Sequence, residues 1–413
     1  MSTFTNTLSR KKKQRILYLG IDVPFLICVI ALLSIGLLMV YSAGWDFSVT
    51  QLGENPSYLF IRQLRFVVLG SSLAILAFIF GYKRLKKFIV TLMVLNIILL
   101  LSVIIFVGET RLGAQRALFN GSIQPSEFSK LILVVYLSFW LNSKQEQLNK
   151  FSFGLLPMIG ILGITSGLIM LQPDISAAAT IMLIGGIMFF LGGGELRQIT
   201  FILGIAIIIG LIIVFLVPTG KLRLAEFISG IQDPLNASYH VKRSIEAIVR
   251  GGTFGVGIGR ATTKFTGLPV APTDSIYAVI AEETGLIGAS SIVVLFLVFL
   301  WRGLTIANNA PDLLGKLIAA GITVWIFTEA MINICVMVSL LPFAGNALPF
   351  ISAGGSSMVT VLSGVGLIMS VARATAIKKN KEEGRPLDEI VDLRRDDRRR
   401  RVSRARCSAS AWR

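Results

Sequence analysis

The strongest constraint on this chain is a series of apolar runs, each about 20 residues long, which is the length that an α-helix needs to cross a hydrocarbon layer roughly 30 Å thick. Hydrophobic residues make up 54% of the 413 residues and charged residues only 15%, against about 25% charged in soluble proteins. The sequence therefore predicts an all-α polytopic membrane protein. Ten spans are predicted, at 23–42, 66–81, 88–107, 127–142, 154–171, 175–194, 199–218, 284–301, 317–340 and 357–373.

The distribution of basic residues predicts the orientation. An even number of spans places both termini on one side, and most of the 40 Lys and Arg residues fall in the loops and tails of that side, which is typical of the cytoplasmic face. We expect a basic N-terminal tail at 1–21, a membrane domain at 22–373 and a basic, disordered tail at 374–413. Segment 219–274, between spans 7 and 8, then forms a large extracytoplasmic loop, too long for a simple connector.

The net charge of +17 would suggest a nucleic-acid partner in a soluble protein. Most of the excess lies on the two tails, so we assign it to topology and to the anionic lipids of the cytoplasmic leaflet, with no nucleic acid as a partner. Three widely spaced cysteines and a single histidine, His240, argue against a zinc or haem site.

Few ionisable residues lie within or beside the predicted spans, and each is a functional candidate because such groups are costly in a membrane. Glu127 and Lys130 share one helix face. They form either a neutralising pair or a cavity wall where the lysine meets an anionic substrate, and both can hold. Asp174 suits a helix N-cap as well as a site.

Acidic residues in two further places have either a structural or a functional role. Glu282 and its neighbour Glu283 begin the eighth span, where they either hydrogen-bond to the adjacent loop or take part in binding substrate. Glu329, in the ninth span, has Asn333 one turn later, which favours an interhelical hydrogen bond.

Two segments interrupt the pattern of helices. In segment 340–357 prolines and glycines break an apolar stretch, and such backbone is tolerated at membrane depth only beside protein or a water-filled cavity. The glycine series from Gly251 to Gly259 lacks the lysine of a P-loop, so it predicts a tight turn or close helix packing rather than a nucleotide site.

Four blocks carry a family resemblance: GAQRALFNGSIQPSEFSKL (113–131), LQPD (171–174), AIVRGGTFGVGIGR with LPVAPTDSIYAVIAEETGLIG (247–288), and NICVMVSLLPFAGNALPFISAGGSS (333–357). Together they resemble the SEDS family, whose best-known members are FtsW and RodA, and LPFISAGGSS is closer to the FtsW branch. The resemblance covers nearly the whole predicted membrane part.

The resemblance implies a ten-span peptidoglycan glycosyltransferase that polymerises lipid II into glycan strands during cell division. The implied partners are lipid II, the nascent strand, a class B penicillin-binding protein that supplies the transpeptidase, and other division proteins. The implied location is the bacterial cytoplasmic membrane at the septum. A precursor flippase or transporter, a non-catalytic division scaffold and a role in elongation remain alternatives.

The resemblance also assigns residues. Asp274, in LPVAPTD, aligns with the essential aspartate of the family, and it is expected to act as the general base for the acceptor hydroxyl, with a helix N-cap as the rival role. Pro272 stands where the family usually has histidine and Val270 where it has glutamate. The residues expected to bind substrate are Arg116, Glu127, Lys130, Asp174, Lys264, Glu282, Ser352 and Ser356.

The chemistry expected of these residues concerns the diphosphate of the lipid-linked donor. Arg116, Lys130 and Lys264 are expected to meet its negative charge, since such contacts are strong in a low-dielectric cavity. A divalent cation such as Mg²⁺ or Mn²⁺, held by Glu127, Asp174 or another carboxylate, is a further option. The sequence contains no dedicated metal motif, and the metal is unknown.

Overall fold

The computed structural model describes residues 20–105, 109–111, 114–117, 124–148, 150–216, 218–233 and 237–383. The chain separates into one unit at Asp22–Val371 and another formed by its two ends, Met1–Ile21 and Ala372–Arg413. In order, the helices are α1 (Val23–Thr50), α2 (Tyr58–Phe80), α3 (Ile89–Ile105), α4 (Pro125–Ser143), α5 (Leu156–Met170), α6 (Ile175–Leu191), α7 (Leu196–Leu216), α8 (Pro218–Gln232), α9 (Tyr239–Gly251), α10 (Ile276–Asn308), α11 (Leu313–Met337) and α12 (Gly355–Glu383).

Short elements join some of these helices. Short 3₁₀ helices occur at Tyr82–Lys87 and Gln145–Gln147, and a π-helical turn at Phe151–Leu155 leads into α5. A small antiparallel hairpin, β1 (Glu109–Arg111) and β2 (Ala114–Ala117), lies between α3 and α4.

The predicted membrane spans are helical in the structure. Each of the ten predicted spans overlaps one helix, and within the described residues six helices are long and apolar enough to cross a membrane. The prediction of a helical, multi-pass chain is confirmed. The helix that contains the predicted eighth span, α10, begins at Ile276, and its N-terminal part, before 284, carries Glu282 and Glu283.

Local capping signals explain several helix starts. The Asp22 side chain accepts a 3.0 Å hydrogen bond from the Phe25 amide at the start of α1. Asp312 does the same for Gly315 at the start of α11, at 2.8 Å. A carboxylate at this position satisfies one of the unpaired amides of the first helical turn, so these helices begin where the sequence places an aspartate.

Segment 219–274 was predicted only as a long loop, and the structure instead builds much of it from α8 and α9. Pro218 begins α8, a position where its missing N–H costs nothing. In α9, His240 stacks on Phe343 with ring centroids 4.3 Å apart. Burial and then the positive charge of Arg223 lower the pKa of His240.

The glycine series forms a tightly packed loop against α10, as predicted. Its amides at 256 and 257 donate 3.0 Å hydrogen bonds to the carbonyls of Glu282 and Glu283. These bonds are possible because Gly285 interrupts α10 with φ of 68°. A Cβ on Gly251 would lie 2.0 Å from the Ala281 carbonyl oxygen, so this close approach requires glycine.

Candidate functional site

The irregular segment between α11 and α12 is tied to the residues that precede α10. Three consecutive carbonyls, at 272–274, each accept a hydrogen bond: from the Ala353 amide at 2.9 Å, the Ser352 hydroxyl at 2.7 Å and the Asn333 side chain at 2.9 Å. Because all three acceptors belong to the turn that carries Asp274, this network fixes the backbone from which the Asp274 side chain projects.

The Asp274 carboxylate meets the irregular segment closely. A Cβ placed on Gly345 would lie 3.0 Å from Asp274 Oδ2, so the Gly345 backbone lies close to the carboxylate. The N-cap of α10 is Ser275, not Asp274, and the Ser275 side chain makes no capping hydrogen bond. Asp274 is therefore not the N-cap of this helix, which was the rival role.

Asp274 lines a cavity of about 300 Å³, which we call the acidic cavity. Four carboxylates and one ammonium group contribute to its lining, so its formal charge is negative. The polar or charged lining residues are Gln124, Glu127, Lys130, Asp174, Thr273, Asp274, Glu329, Asn346, Ser356 and Ser357. The structure thus brings together five residues that the sequence assigned to the site: Glu127, Lys130, Asp174, Asp274 and Ser356.

Lys130 is buried between two carboxylates in this cavity. Its ammonium group donates to Glu127 Oε1 at 2.7 Å, one turn earlier on α4, and to Glu329 Oε1 on α11. The second oxygen of Glu127 is buried without a hydrogen-bond partner among the described residues. The predicted neutralising pair and the predicted cavity wall are therefore both present, with Glu329 as a third member.

Asp174 is the N-cap of α6. Its Oδ1 accepts a 3.3 Å hydrogen bond from the Ala177 amide. Its Oδ2 accepts from Gln124 at 3.1 Å and from the Ser126 hydroxyl at 3.2 Å. Asp174 thus joins the start of α6 to the start of α4, a structural role in the wall of the acidic cavity.

The two serines assigned to the site have different positions. Ser356, in the first turn of α12, lines the acidic cavity, and its hydroxyl accepts a 3.3 Å hydrogen bond from the Gln124 amide. Ser352 lies behind the lining, where its hydroxyl accepts from the Leu348 amide at 2.7 Å and donates to the Thr273 carbonyl. Ser352 therefore braces the turn that carries Asp274.

Lys264 lies outside the acidic cavity in a separate buried cluster. Its ammonium group donates to Glu283 Oε1 at 2.9 Å, to the Ser42 hydroxyl at 3.1 Å and to the Gly259 carbonyl at 3.1 Å. The Ser42 hydroxyl donates to the same Glu283 oxygen at 2.6 Å. This cluster fastens the end of the glycine loop to α1 and α10.

Glu282 also lies outside the acidic cavity. Its carboxylate accepts hydrogen bonds from the amides of Thr262 and Thr263, the first at 2.9 Å, and from both threonine hydroxyls. This is the contact with the adjacent loop that the sequence left as one option. Arg116 belongs to β2 by its backbone, while its side chain lies outside the described residues.

A second cavity, of about 190 Å³, adjoins the first. The two share the lining residues Thr273 and 353–355. Most of the remaining lining is apolar and comes from α1, α2 and the segment joining them. We call it the apolar cavity, and its other lining residues are Phe47, Leu52, Leu59, Arg62, Gln63, Phe66, Val270 and Pro272.

Sequence reasoning missed several members of the site. Glu329 was expected only as a structural contact between helices, and it is one, but it also lines the acidic cavity. Gln124 and Asn346 were not singled out, since neutral amides in a loop give no signal without a known neighbour. The described residues contain no group of three or more His, Cys, Asp or Glu side chains placed to hold a metal ion.

Fold and site together define a multi-pass helical membrane protein with an acidic cavity beside the irregular segment that joins its last two helices. Residues 23–377 match the family model FTSW_RODA_SPOVE, described as cell cycle protein. The chain belongs to this family, which confirms the resemblance to SEDS proteins drawn from its motifs.

Two relatives are similar over nearly their whole length. Stage V sporulation protein E of Bacillus subtilis is 36% identical over 358 residues, which is 85% of this chain and 97% of that protein. A protein of Trichlorobacter lovleyi named probable peptidoglycan glycosyltransferase FtsW is 36% identical over 357 residues, 85% of this chain and 93% of its own length.

Solved structures share the fold. The rod shape determining protein RodA of Thermus thermophilus superposes with a TM-score of 0.63 at 24% identity, over 86% of this chain and 98% of that one. A chain from a peptidoglycan synthase complex, described as coordinating polymerization and crosslinking, gives a TM-score of 0.70 at 24% identity, over 86% and 98%.

Proposed function

We propose that this protein is a peptidoglycan glycosyltransferase that polymerises lipid II into glycan strands during cell division, with Asp274 as the general base. Relatives that are named probable peptidoglycan glycosyltransferase FtsW, at 34 to 36% identity, support the activity and the division branch. The observation that carries the proposal is the hydrogen-bonded turn at 272–274, which holds Asp274 at the wall of a buried polar cavity.

Glycosyl transfer requires a base that removes the proton of the acceptor hydroxyl. When the acceptor sugar hydroxyl attacks the anomeric carbon of the donor, its proton passes to the Asp274 carboxylate, and the bond between that carbon and the diphosphate oxygen breaks. The lipid diphosphate leaves with the electron pair. Because diphosphate is already a good leaving group, a base that contributes about 10² to 10⁴ in rate supplies most of the help needed.

A fixed carboxylate is a better base than a mobile one, since its position need not be found during each reaction. Gly345 gives the carboxylate a close backbone neighbour, and Asn333 holds the Asp274 carbonyl while donating also to the Asn346 carbonyl at 2.6 Å. The Asn333 contact acts through the Asp274 backbone, so it positions the residue from which the carboxylate projects.

A divalent cation at the acidic cavity was a further option offered by the sequence. The described carboxylates do not form a group that fits a dedicated metal site, and Glu127 and Asp174 are each engaged with other side chains. We therefore assign no step of the reaction to a metal.

The topology proposed for this function has ten spans: α1 to α7 and α10 to α12. Both termini are cytoplasmic, and segment 219–274 with α8 and α9 is extracytoplasmic. The domain limits are those given by the sequence, 1–21, 22–373 and 374–413. This orientation places Asp274 at the face where lipid-linked precursors are polymerised.

The proposed partner is a class B penicillin-binding protein at the division septum. The likeness to a chain of a peptidoglycan synthase complex and the family membership support a partner that crosslinks what this chain polymerises.

The direct test uses purified full-length protein and lipid II in detergent, with and without the cognate transpeptidase, followed by separation of the glycan products. Polymer is the expected result. In parallel, the protein is placed in liposomes that contain labelled lipid II. Translocation in the liposomes, with no polymer formed in either experiment, would replace the glycosyltransferase with a flippase.

A further inference from the structure

The two adjoining cavities differ in charge, and this difference bears on where a lipid diphosphate can lie. The acidic cavity holds the carboxylates of Glu127, Asp174, Asp274 and Glu329, against one ammonium group that is already bound by two of them. A diphosphate placed there would meet a wall of net negative formal charge, and like charges repel.

The apolar cavity has the opposite character. Among its lining residues Arg62 is the one ionisable side chain, and Gln63 beside it is buried with its amide donating to the Ser352 carbonyl at 3.0 Å. Arginine presents several donors in a planar fork that suits phosphate oxygens. Phe47, Leu52 and Phe66 supply apolar surface next to this positive group.

Position also connects the two cavities. They share Thr273, the residue before Asp274, and the backbone of 353–355. The shared wall is thin because two of its members are glycines. A Cβ on Gly355 would lie 2.6 Å from the Phe66 ring, so a larger residue there would close the space between the wall and α2.

We infer that the apolar cavity binds the diphosphate and the first isoprenoid units of the lipid-linked donor, with Arg62 contacting the phosphates. The acidic cavity is left for the uncharged sugar that presents its hydroxyl to Asp274. This inference rests on the proposed glycosyl transfer and names the binding site of one substrate. On bond cleavage, the leaving diphosphate stays beside Arg62, and the proton stays with Asp274 across the shared wall.

The test measures binding without turnover. Full-length protein in detergent is titrated with undecaprenyl diphosphate or with undecaprenol, and the bound lipid is counted by native mass spectrometry. Arg62→Gln should weaken the binding of undecaprenyl diphosphate about tenfold or more and leave that of undecaprenol unchanged. Arg62→Lys should restore part of the affinity, because it keeps the charge but not the fork. Arg65→Gln, an exposed arginine on the same helix, is the matched control and should bind both lipids like the native chain.

A second variant, at another position of the apolar cavity, keeps the inference testable if Arg62→Gln does not fold. Leu52→Trp narrows the apolar cavity from the segment after α1 and should weaken the binding of both lipids. Native affinity for undecaprenyl diphosphate in both Arg62→Gln and Leu52→Trp would overturn the inference. It would also be overturned if folded Lys130→Met protein lost this affinity while Arg62→Gln kept it. Because binding is measured apart from polymerisation, a native chain that binds the lipid but makes no glycan would contradict the proposed function and leave the inferred site intact.

Discussion

The Ser352 hydroxyl lies 2.7 Å from the Thr273 carbonyl oxygen and donates a hydrogen bond to it. The same hydroxyl accepts from the Leu348 amide at 2.7 Å. Seventy-nine positions separate Ser352 from Thr273 in the chain, so this bond joins the broken segment to the turn that carries Asp274. Ser352 is thus a positioning residue that acts on Asp274 through the backbone.

Ser352→Ala should lower kcat for polymerisation about tenfold and leave KM nearly unchanged. The change leaves the Leu348 amide and the Thr273 carbonyl without their partner, at a cost of about 1 to 3 kcal/mol, and loosens the turn before Asp274. Ser363→Ala is the control, since the Ser363 hydroxyl bonds only a carbonyl of its own helix. Equal kinetics for the two variants would remove the positioning role.

Lys130→Met should lower the free energy of unfolding by about 3 to 5 kcal/mol, because it leaves two buried carboxylates facing each other without a cation. Adding Glu329→Met should recover part of this loss, since it removes one of those carboxylates. Thermal unfolding in detergent gives the comparison. If the double variant is less stable than Lys130→Met, repulsion between the Glu127 and Glu329 carboxylates is not the cause of the loss of stability.

Gly251→Ala should strongly destabilise the protein, because the new methyl would lie 2.0 Å from the Ala281 carbonyl oxygen and push the glycine loop from α10. Gly163→Ala is the matched control on a helix where nothing lies within 4 Å of the added methyl, and it should stabilise by up to about 1 kcal/mol. Similar melting temperatures for both variants would contradict the close packing of this loop.

Asp312 makes a contribution to stability that depends on pH. Burial raises its pKa, but hydrogen bonds from Lys83, the Gly315 amide and Tyr82 outweigh burial and leave the pKa below its usual value. A lowered pKa stabilises the fold above the unfolded-state value of about 3.9, and this contribution is lost as the pH falls through the lower folded-state pKa.

Asp312→Asn should therefore lower the melting temperature at pH 6 to 8, and the difference from the native chain should shrink below about pH 4. Melting curves of Asp312→Asn and the native chain over this pH range, with Asp46→Asn as the control, test this contribution of the Asp312 charge. A difference that is constant down to pH 3 would mean that the charge of Asp312 plays no part.

The helical, multi-pass architecture and part of the acidic cavity could be predicted from the sequence for a physical reason. Long apolar runs determine helices in a membrane, and an ionisable residue such as Lys130 or Glu127 stands out against them. Lys264 and Glu282 stood out in the same way. In the structure, however, Lys264 is bound by Glu283 and Glu282 by the amide of Thr262, away from the acidic cavity. The spacing of these residues along the chain does not indicate which side chains lie at the cavity.

Other features needed the three-dimensional structure. The apolar cavity is built largely from apolar residues of α1, α2 and the segment joining them, and only their position beside Arg62 and Thr273 distinguishes them. The helices α8 and α9 were missed because their mixed polar and apolar composition gives no long apolar run. The hydrogen bonds to the carbonyls of 272–274 involve backbone atoms, which leave no trace in the sequence.

The central claim, that Asp274 is the general base, is tested most directly by the rate of glycan formation from lipid II with Asp274→Asn. Asparagine has nearly the same shape, so the variant should fold, as its melting temperature will show, and should bind undecaprenyl diphosphate like the native chain. We expect polymerisation to fall at least about 10²-fold, while Asp46→Asn polymerises normally. Glycan strands made at the native rate by the folded Asp274→Asn protein would contradict the assignment.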